Sequence, residues 1–276
     1  MFEIIKVLNH NAILVKQNNV IYLALEKGIG FSKKVEDHIE LSENTKKYLL
    51  QNETKRGNSE ELLQRIDTKY VELSSEIIQM AEQTLGKLDH NILLPLADHI
   101  AFAIERMKRD MQISNPFANE ISLLNPEEYE AALKSKELIL EKTGYTFDEE
   151  ELGYITLHLH CARTSQEVDE SMQMAIIIRE SIDEIEKRFN TTIDVTSLAY
   201  SRLLTHMRYL IARIKNNEKL YLDMGEYVRN QFPLAYEVAT DIIKDVARTL
   251  NTPVEEIEVG YLAIHIQRIC DVNKNN

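Results

Sequence analysis

Two stretches of the chain are one pattern written twice, 107 residues apart and with no gap. The first holds His99 in Asp98-His99-Ile100-Ala101-Phe102-Ala103-Ile104-Glu105-Arg106, and His158 closes Gly153-Tyr154-Ile155-Thr156-Leu157-His158. The second holds His206 in Thr205-His206-Met207-Arg208-Tyr209-Leu210-Ile211-Ala212-Arg213, and His265 closes Gly260-Tyr261-Leu262-Ala263-Ile264-His265. Pro126 and Pro233, Tyr129 and Tyr236, Glu130 and Glu237, and Glu151 and Glu258 keep the same offset. A unit of that length is one domain in size, far above the roughly 20–50-residue period of a solenoid, so the pattern is a tandem duplication of a domain. Packing accounts for repeated apolar positions. It does not account for two histidines per copy that hold their places while the surface residues around them change.

The 276 residues have room for two or three cores, and a hydrophobic fraction of 44% is ordinary for a globular protein. No run of about 18 apolar residues is present, so no membrane span is expected. The opening Met1-Phe2-Glu3-Ile4-Ile5-Lys6-Val7-Leu8 alternates and lacks a basic flank, which reads as a strand rather than a signal peptide. Cys161 and Cys270 have neither metal nor redox spacing and read as two thiols in a reducing cytosol. The net charge of −13 is uneven. Residues 1–56 hold nine Lys/Arg against seven Asp/Glu, a local +2, and the remainder holds 23 against 38, or −15. A small basic-leaning module at the head of an acidic chain is compatible with nucleic-acid binding there and protein partners elsewhere.

Phe2 to Leu8, Ala12 to Val15 and Val20 to Leu25 read as strands, separated by turns at Asn9-His10-Asn11 and Gln17-Asn18-Asn19, because asparagine tolerates positive φ. Residues 44–51 read as a short helix or an edge strand. So small a sheet buries little apolar area alone, and dimerisation is the simplest remedy. Residues 52–60 are polar and read as a linker, and 166–175 as a second connection between the repeats. Val71, Ile77, Ile78, Ala81 and Leu85 recur at helical spacing. Thr146 with Glu149, and Thr252 with Pro253 and Glu255, fit capping boxes for the helices that carry His158 and His265. The expected architecture is multidomain α+β: an N-terminal antiparallel β domain over 1–56, then two all-α helical bundles over 62–168 and 170–276.

His38, His90 and His160 read as structural or solvent-facing. At the four repeated positions three chemistries compete. For metal binding, no His-x-x-x-His pair or carboxylate three or four residues on completes a ligand set. For acid–base catalysis, no nucleophile elbow, phosphate loop or carboxylate pair accompanies the histidines. The third chemistry is phosphate acceptance by neutral imidazole nitrogen. Arg106 and Arg213 follow their histidines by seven residues, two helical turns, on the same face, where a guanidinium can hold phosphate. An ordinary ion pair with Asp98 or Glu105 is the plain alternative for Arg106.

These motifs, in this order and over nearly the whole chain, resemble the BglG/SacY-type transcription antiterminators: an RNA-binding domain followed by two phosphotransferase-system regulation domains. Lys6-Val7-Leu8-Asn9-His10-Asn11 and Lys27-Gly28-Ile29-Gly30-Phe31-Ser32-Lys33-Lys34 resemble that family's RNA-binding signature, with Glu26-Lys27-Gly28 where the family often has Gly-Arg-Gly. The resemblance implies a β domain that dimerises and grips an RNA hairpin overlapping a terminator in a sugar operon. It implies His99, His158, His206 and His265 as phosphoryl acceptors, with the sugar permease (EII) and the phosphocarrier HPr as donors. No cofactor, metal or enzymatic turnover is expected.

Lys6, Asn9, Asn11, Gly28, Gly30, Phe31, Lys33 and Lys34 are the candidate RNA-binding residues. Phe31 reads as a stacking platform or as a core residue. Asn9 and Asn11 read as turn formers or as readers of base edges through paired donor and acceptor atoms. Gly28 and Gly30 read as close-approach positions or as positive-φ turns. A DNA-binding activator with the same sensory domains is the alternative, and it requires a helix-turn-helix where residues 1–34 alternate as strands.

Overall fold

The computed structural model describes residues 1–50, 59–111, 114–164 and 166–274. The linker expected over 52–60 lies mostly outside them; from Ser59 onward the chain is helical.

Five strands, β1 (Phe2–Asn9), β2 (Ala12–Gln17), β3 (Val20–Leu25), β4 (His38–Ile39) and β5 (Lys46–Leu49), form one antiparallel sheet in the order β4-β1-β2-β3-β5. The β2–β3 hairpin closes on Asn18 and Asn19 at φ 51° and 63°, the left-handed pair that a tight two-residue turn requires. Residues 46–49 resolve the open alternative as an edge strand. Strands, not a helix-turn-helix, occupy the N-terminus.

The period-two alternation splits the sheet's apolar residues between its faces. Ile4, Ile13, Val15, Ala24 and Ile29 make a small cluster on one side. Ala12, Leu14, Leu23, Leu25 and Tyr48 belong to a larger core with Val71, Ile78, Leu94 and Ile100 of the helices that follow. A sheet expected to need a twin for cover therefore gains it on one face from its own chain. The Tyr48 hydroxyl lies 2.6 Å from Ser75 Oγ in that buried seam.

The helices are α1 (Ser59–Arg65), α2 (Thr68–Leu85), α3 (Leu93–Lys108), α4 (Ala118–Leu124), α5 (Pro126–Thr143), α6 (Glu149–Thr164), α7 (Val168–Phe189), α8 (Leu198–Asn216), α9 (Gly225–Gln231), α10 (Pro233–Leu250) and α11 (Ile257–Lys274). The chain divides into two compact units, Met1–Val168 and Asp169–Asn276. The duplication is geometric as well as sequential: α9 and α10 begin and end 107 residues after α4 and α5. Pro126 and Pro233 open their helices at the position where a missing N–H costs nothing.

The change from one unit to the next falls within 166–175, after Val168, but the connection is helical: α7 begins at Val168 and its apolar stripe (Ala175, Ile178, Ile182, Ile185) packs from the second turn on. Two sequence expectations are corrected. Thr146 does not cap α6; Asp148, directly before the helix, accepts the Glu151 N–H at 2.9 Å. Thr252 and Pro253 do not open α11, which starts at Ile257. Thr252 instead helps end α10: Asn251 turns left-handed at φ 48°, and the Thr252 N–H donates back to the Ala247 carbonyl at 3.0 Å. A residue that closes one helix is unavailable to open the next.

Candidate functional site

In the first unit α3 brings His99 and Arg106 to one face, and α6 presents Glu151 and His158 to it. Arg106 Nη2 donates to Glu151 Oε1 at 2.6 Å, and the other carboxylate oxygen lies 3.4 Å from His99 Nε2. Both members of the ion pair are buried. Burial raises the Glu151 pKa, and the Arg106 charge opposes that rise. The His99 ring is tilted against His158 with centroids 5.8 Å apart, and Tyr154 flanks it at 5.2 Å. The plain alternative for Arg106 is thus replaced: its partner is Glu151, while Glu105 pairs with Arg109.

The second unit repeats the frame with a tighter grip. Arg213 holds Glu258 through two parallel bonds, Nε to Oε1 at 2.8 Å and Nη2 to Oε2 at 2.7 Å. His206 and His265 stack with centroids 4.3 Å apart and planes 25° from parallel. Burial, then the His265 and Arg213 charges, push the His206 pKa down to about 3. Burial, with Arg268 and Arg202, lowers that of His265 as well. The bond to Glu258 raises the Arg213 pKa. At neutral pH both imidazoles are uncharged, which is the nucleophilic form.

Exposure separates the four histidines. His158 is buried, at 4%, whereas His99, His206 and His265 are partly exposed, with the Nε2 atoms of His99 and His206 turned inward. Phe102 and Tyr209, three residues after His99 and His206, are both exposed. Nothing in their local sequence marks Glu151 and Glu258 as arginine partners. The 107-residue offset had already paired them, and that was the signal available. His160, His90 and His38 make ordinary local contacts, to Glu128, Glu82 and the Glu36 carbonyl.

The candidate RNA-binding residues gather around the β1–β2 turn. Gly28 has φ 80° and donates its N–H to Asn11 Oδ1 at 3.0 Å. Gly30 lies against β1 so closely that a Cβ there would sit 2.1 Å from the Asn9 carbonyl oxygen. Phe31 is 66% exposed, which removes the core alternative, and its ring meets His10 edge-on at 5.8 Å. Lys6, Lys33 and Lys34 are exposed. Of the two readings of Asn9 and Asn11, the turn-forming one is what their side-chain oxygens show. Asn9 Oδ1 accepts from the Asn11 N–H at 2.7 Å, and both side-chain amides donate to Glu72 of α2, at 2.7 and 3.1 Å. They present donors alone rather than donor–acceptor pairs.

The sequence matches the CAT RNA binding domain over residues 2–57 and the PRD domain over 75–162 and 179–269. It is 36% identical to the PtsGHI operon antiterminator of Bacillus subtilis across 97% of both chains. It is 31% identical to Protein GlcT of Staphylococcus haemolyticus across 96% of this chain and 95% of that one. The crystal structure of GlcT CAT-PRDI resembles it with a TM-score of 0.52 at 35% identity, covering 59% of this chain and 98% of that one. The chain belongs to the antiterminator family that joins a CAT RNA binding domain to PRD domains.

Proposed function

We propose that this protein is an RNA-binding transcription antiterminator of a sugar-utilisation operon, switched by phosphorylation of its duplicated histidines. The observation that carries the reading is the pair of frames: in each repeat the arginine two turns after the first histidine holds a buried glutamate from the helix of the second histidine, and the two histidine rings lie against each other. The β domain, read as residues 1–56, grips an RNA hairpin that overlaps a terminator and holds it folded, so that polymerase continues. RNA hairpins offer a wide minor groove and unstacked loop bases, and the exposed Phe31 and the lysines around it suit both. The helical domains, read as 62–168 and 170–276, are the sensors.

The donors are HPr and a sugar permease (EII) of the phosphotransferase system. The acceptors are His99, His158, His206 and His265; His158 is buried and so are the Nε2 atoms of His99 and His206, so a donor reaches these three only when the packing around them opens. A phosphohistidine adds up to two negative charges to domains that already carry an acidic excess. That charge biases a two-state equilibrium between a closed homodimer and a loose one, and the dimer geometry of the β domains sets RNA affinity. The protein performs no turnover of its own.

Incubation of the full chain with phosphoenolpyruvate, the general phosphotransferase enzymes and HPr, read by mass spectrometry under non-acidic conditions, tests the acceptors; no phosphate on any of the four histidines defeats the proposal. In gel shift and sedimentation, His206→Asp or His265→Asp is expected to favour the RNA-competent dimer and His99→Asp to weaken it. Unchanged dimerisation and RNA affinity in all three variants defeats the switch.

A further inference from the structure

We infer that Asn9 and Asn11 form a donor-only clamp for a backbone phosphate of the RNA, and that the Glu72 carboxylate occupies the clamp as an intramolecular stand-in. The inference rests on the RNA-binding reading above and adds the chemistry of one contact and its competitor.

The orientation of the two amides is dictated by backbone donors. The Asn11 N–H points at Asn9 Oδ1 (2.7 Å) and the Gly28 N–H points at Asn11 Oδ1 (3.0 Å), so each side-chain oxygen already has a donor within the loop. What remains are two Nδ2 groups that converge on a single acceptor pair: Asn9 on Glu72 Oε1 at 2.7 Å, Asn11 on Glu72 Oε2 at 3.1 Å. Two parallel donors match two anionic oxygens on one atom, which a carboxylate and a phosphate both provide. An adenine edge demands one donor and one acceptor, and this pair has no acceptor facing outward. A guanine edge offers two acceptors, but in A-form RNA it lies at the bottom of a groove that side chains cannot enter, whereas phosphates line the outside.

The surroundings suit the same ligand. A cleft of about 460 Å³ opens beside Asn11 and Glu72 and is lined by Lys27 and Lys46, by Glu26, and by Glu76 with its ion-pair partner Lys142. The exposed Phe31 ring stands on the loop that Gly28 and Gly30 shape, so a phosphate in the clamp leaves its base close to a stacking surface. RNA and α2 therefore compete for the same two donors, and binding RNA requires Glu72 to release them.

The test uses the full chain and a hairpin RNA enriched by it from a randomised pool, with Kd from filter binding at fixed salt. Glu72→Gln keeps shape and removes the charge that favours the internal contact; charge-assisted hydrogen bonds are about twice as strong as neutral ones, so Kd falls by about tenfold. Glu72→Ala acts in the same direction. Asn11→Asp in the Glu72→Gln background, where no second carboxylate faces it, keeps an oxygen for the Gly28 N–H and replaces the donor by an anion, so RNA binding drops by at least about tenfold relative to Glu72→Gln while the thermal transition is retained. One methylphosphonate in the hairpin removes the advantage of Glu72→Gln, and 7-deazaguanosine does not. Unchanged or weaker binding by both Glu72 variants, or sensitivity to 7-deazaguanosine instead of methylphosphonate, overturns the clamp while RNA binding stands. A pool from which nothing is enriched overturns RNA binding, and the clamp with it.

Discussion

Acidification should loosen the second unit through His206. Its pKa is about 3 in the folded chain against an ordinary 6.5, because burial, the stacked His265 and Arg213 all penalise the imidazolium. Above pH 6.5 neither state holds the proton and the group has no effect on stability. As pH falls below 6.5 the unfolded chain takes up a proton that the folded chain refuses, so stability declines until about pH 3, where both states hold it. From pH 7.5 to 5 the loss works out at about 2 kcal/mol, 1.5 pH units below the ordinary value at about 1.4 kcal/mol each. With a urea dependence of roughly 2 kcal/mol per molar, the unfolding midpoint of this unit moves by about 1 M. The chain has no tryptophan and two compact units, so hydrogen exchange of peptides from α8 and α11 across a urea series is the suitable readout. His206→Gln serves as the comparator, since it cannot take up a proton. The expected result is a midpoint that drops by about 1 M less in the variant than in the wild type between the two pH values. Equal drops would refute the reasoning, showing that the imidazole is solvated and titrates in the fold as it does in the open chain.

Two further outcomes follow from the geometry. Arg213→Ala leaves Glu258, 4% exposed, without its two bonds, and should destabilise the second unit by roughly 3 kcal/mol, whereas replacing both partners by leucine should restore most of that loss; hydrogen exchange under urea measures both. Gly30→Ala forces a methyl to within 2.1 Å of the Asn9 carbonyl oxygen, so the loop that carries Phe31 must move; RNA affinity should collapse in a gel shift while exchange protection in α8 and α11 stays unchanged, and full retention of binding would show that this loop lies away from the RNA.

Local chemistry was legible wherever it is decided within a few residues. Asn18-Asn19 announces a left-handed turn because few other residues sit there without strain. Pro126 and Pro233 mark helix starts, and His99 with Arg106 share a face because seven residues are two turns. The capping threonines misled for an equally local reason: Asp148 lies nearer to the start of α6 and accepts the bond there, and the Thr252 N–H closes α10. Partners across the fold were another matter. Arg106 faces charged neighbours along its own helix, yet it pairs with Glu151, 45 residues away. Asn11 reads equally as a turn former or a base reader until Glu72, 61 residues on, and Gly28 fix which way its amide points.

By itself, then, the order of residues determined the duplication, the β head and helical body, and four marked histidines, because period, turn chemistry and a constant offset are properties of a linear string. Only the tertiary structure decided which carboxylate each arginine holds, that His158 is buried while three histidines are partly exposed, and that a glutamate of α2 sits in the asparagine loop. Those outcomes depend on distances between segments far apart along the chain, which packing sets and spacing cannot encode.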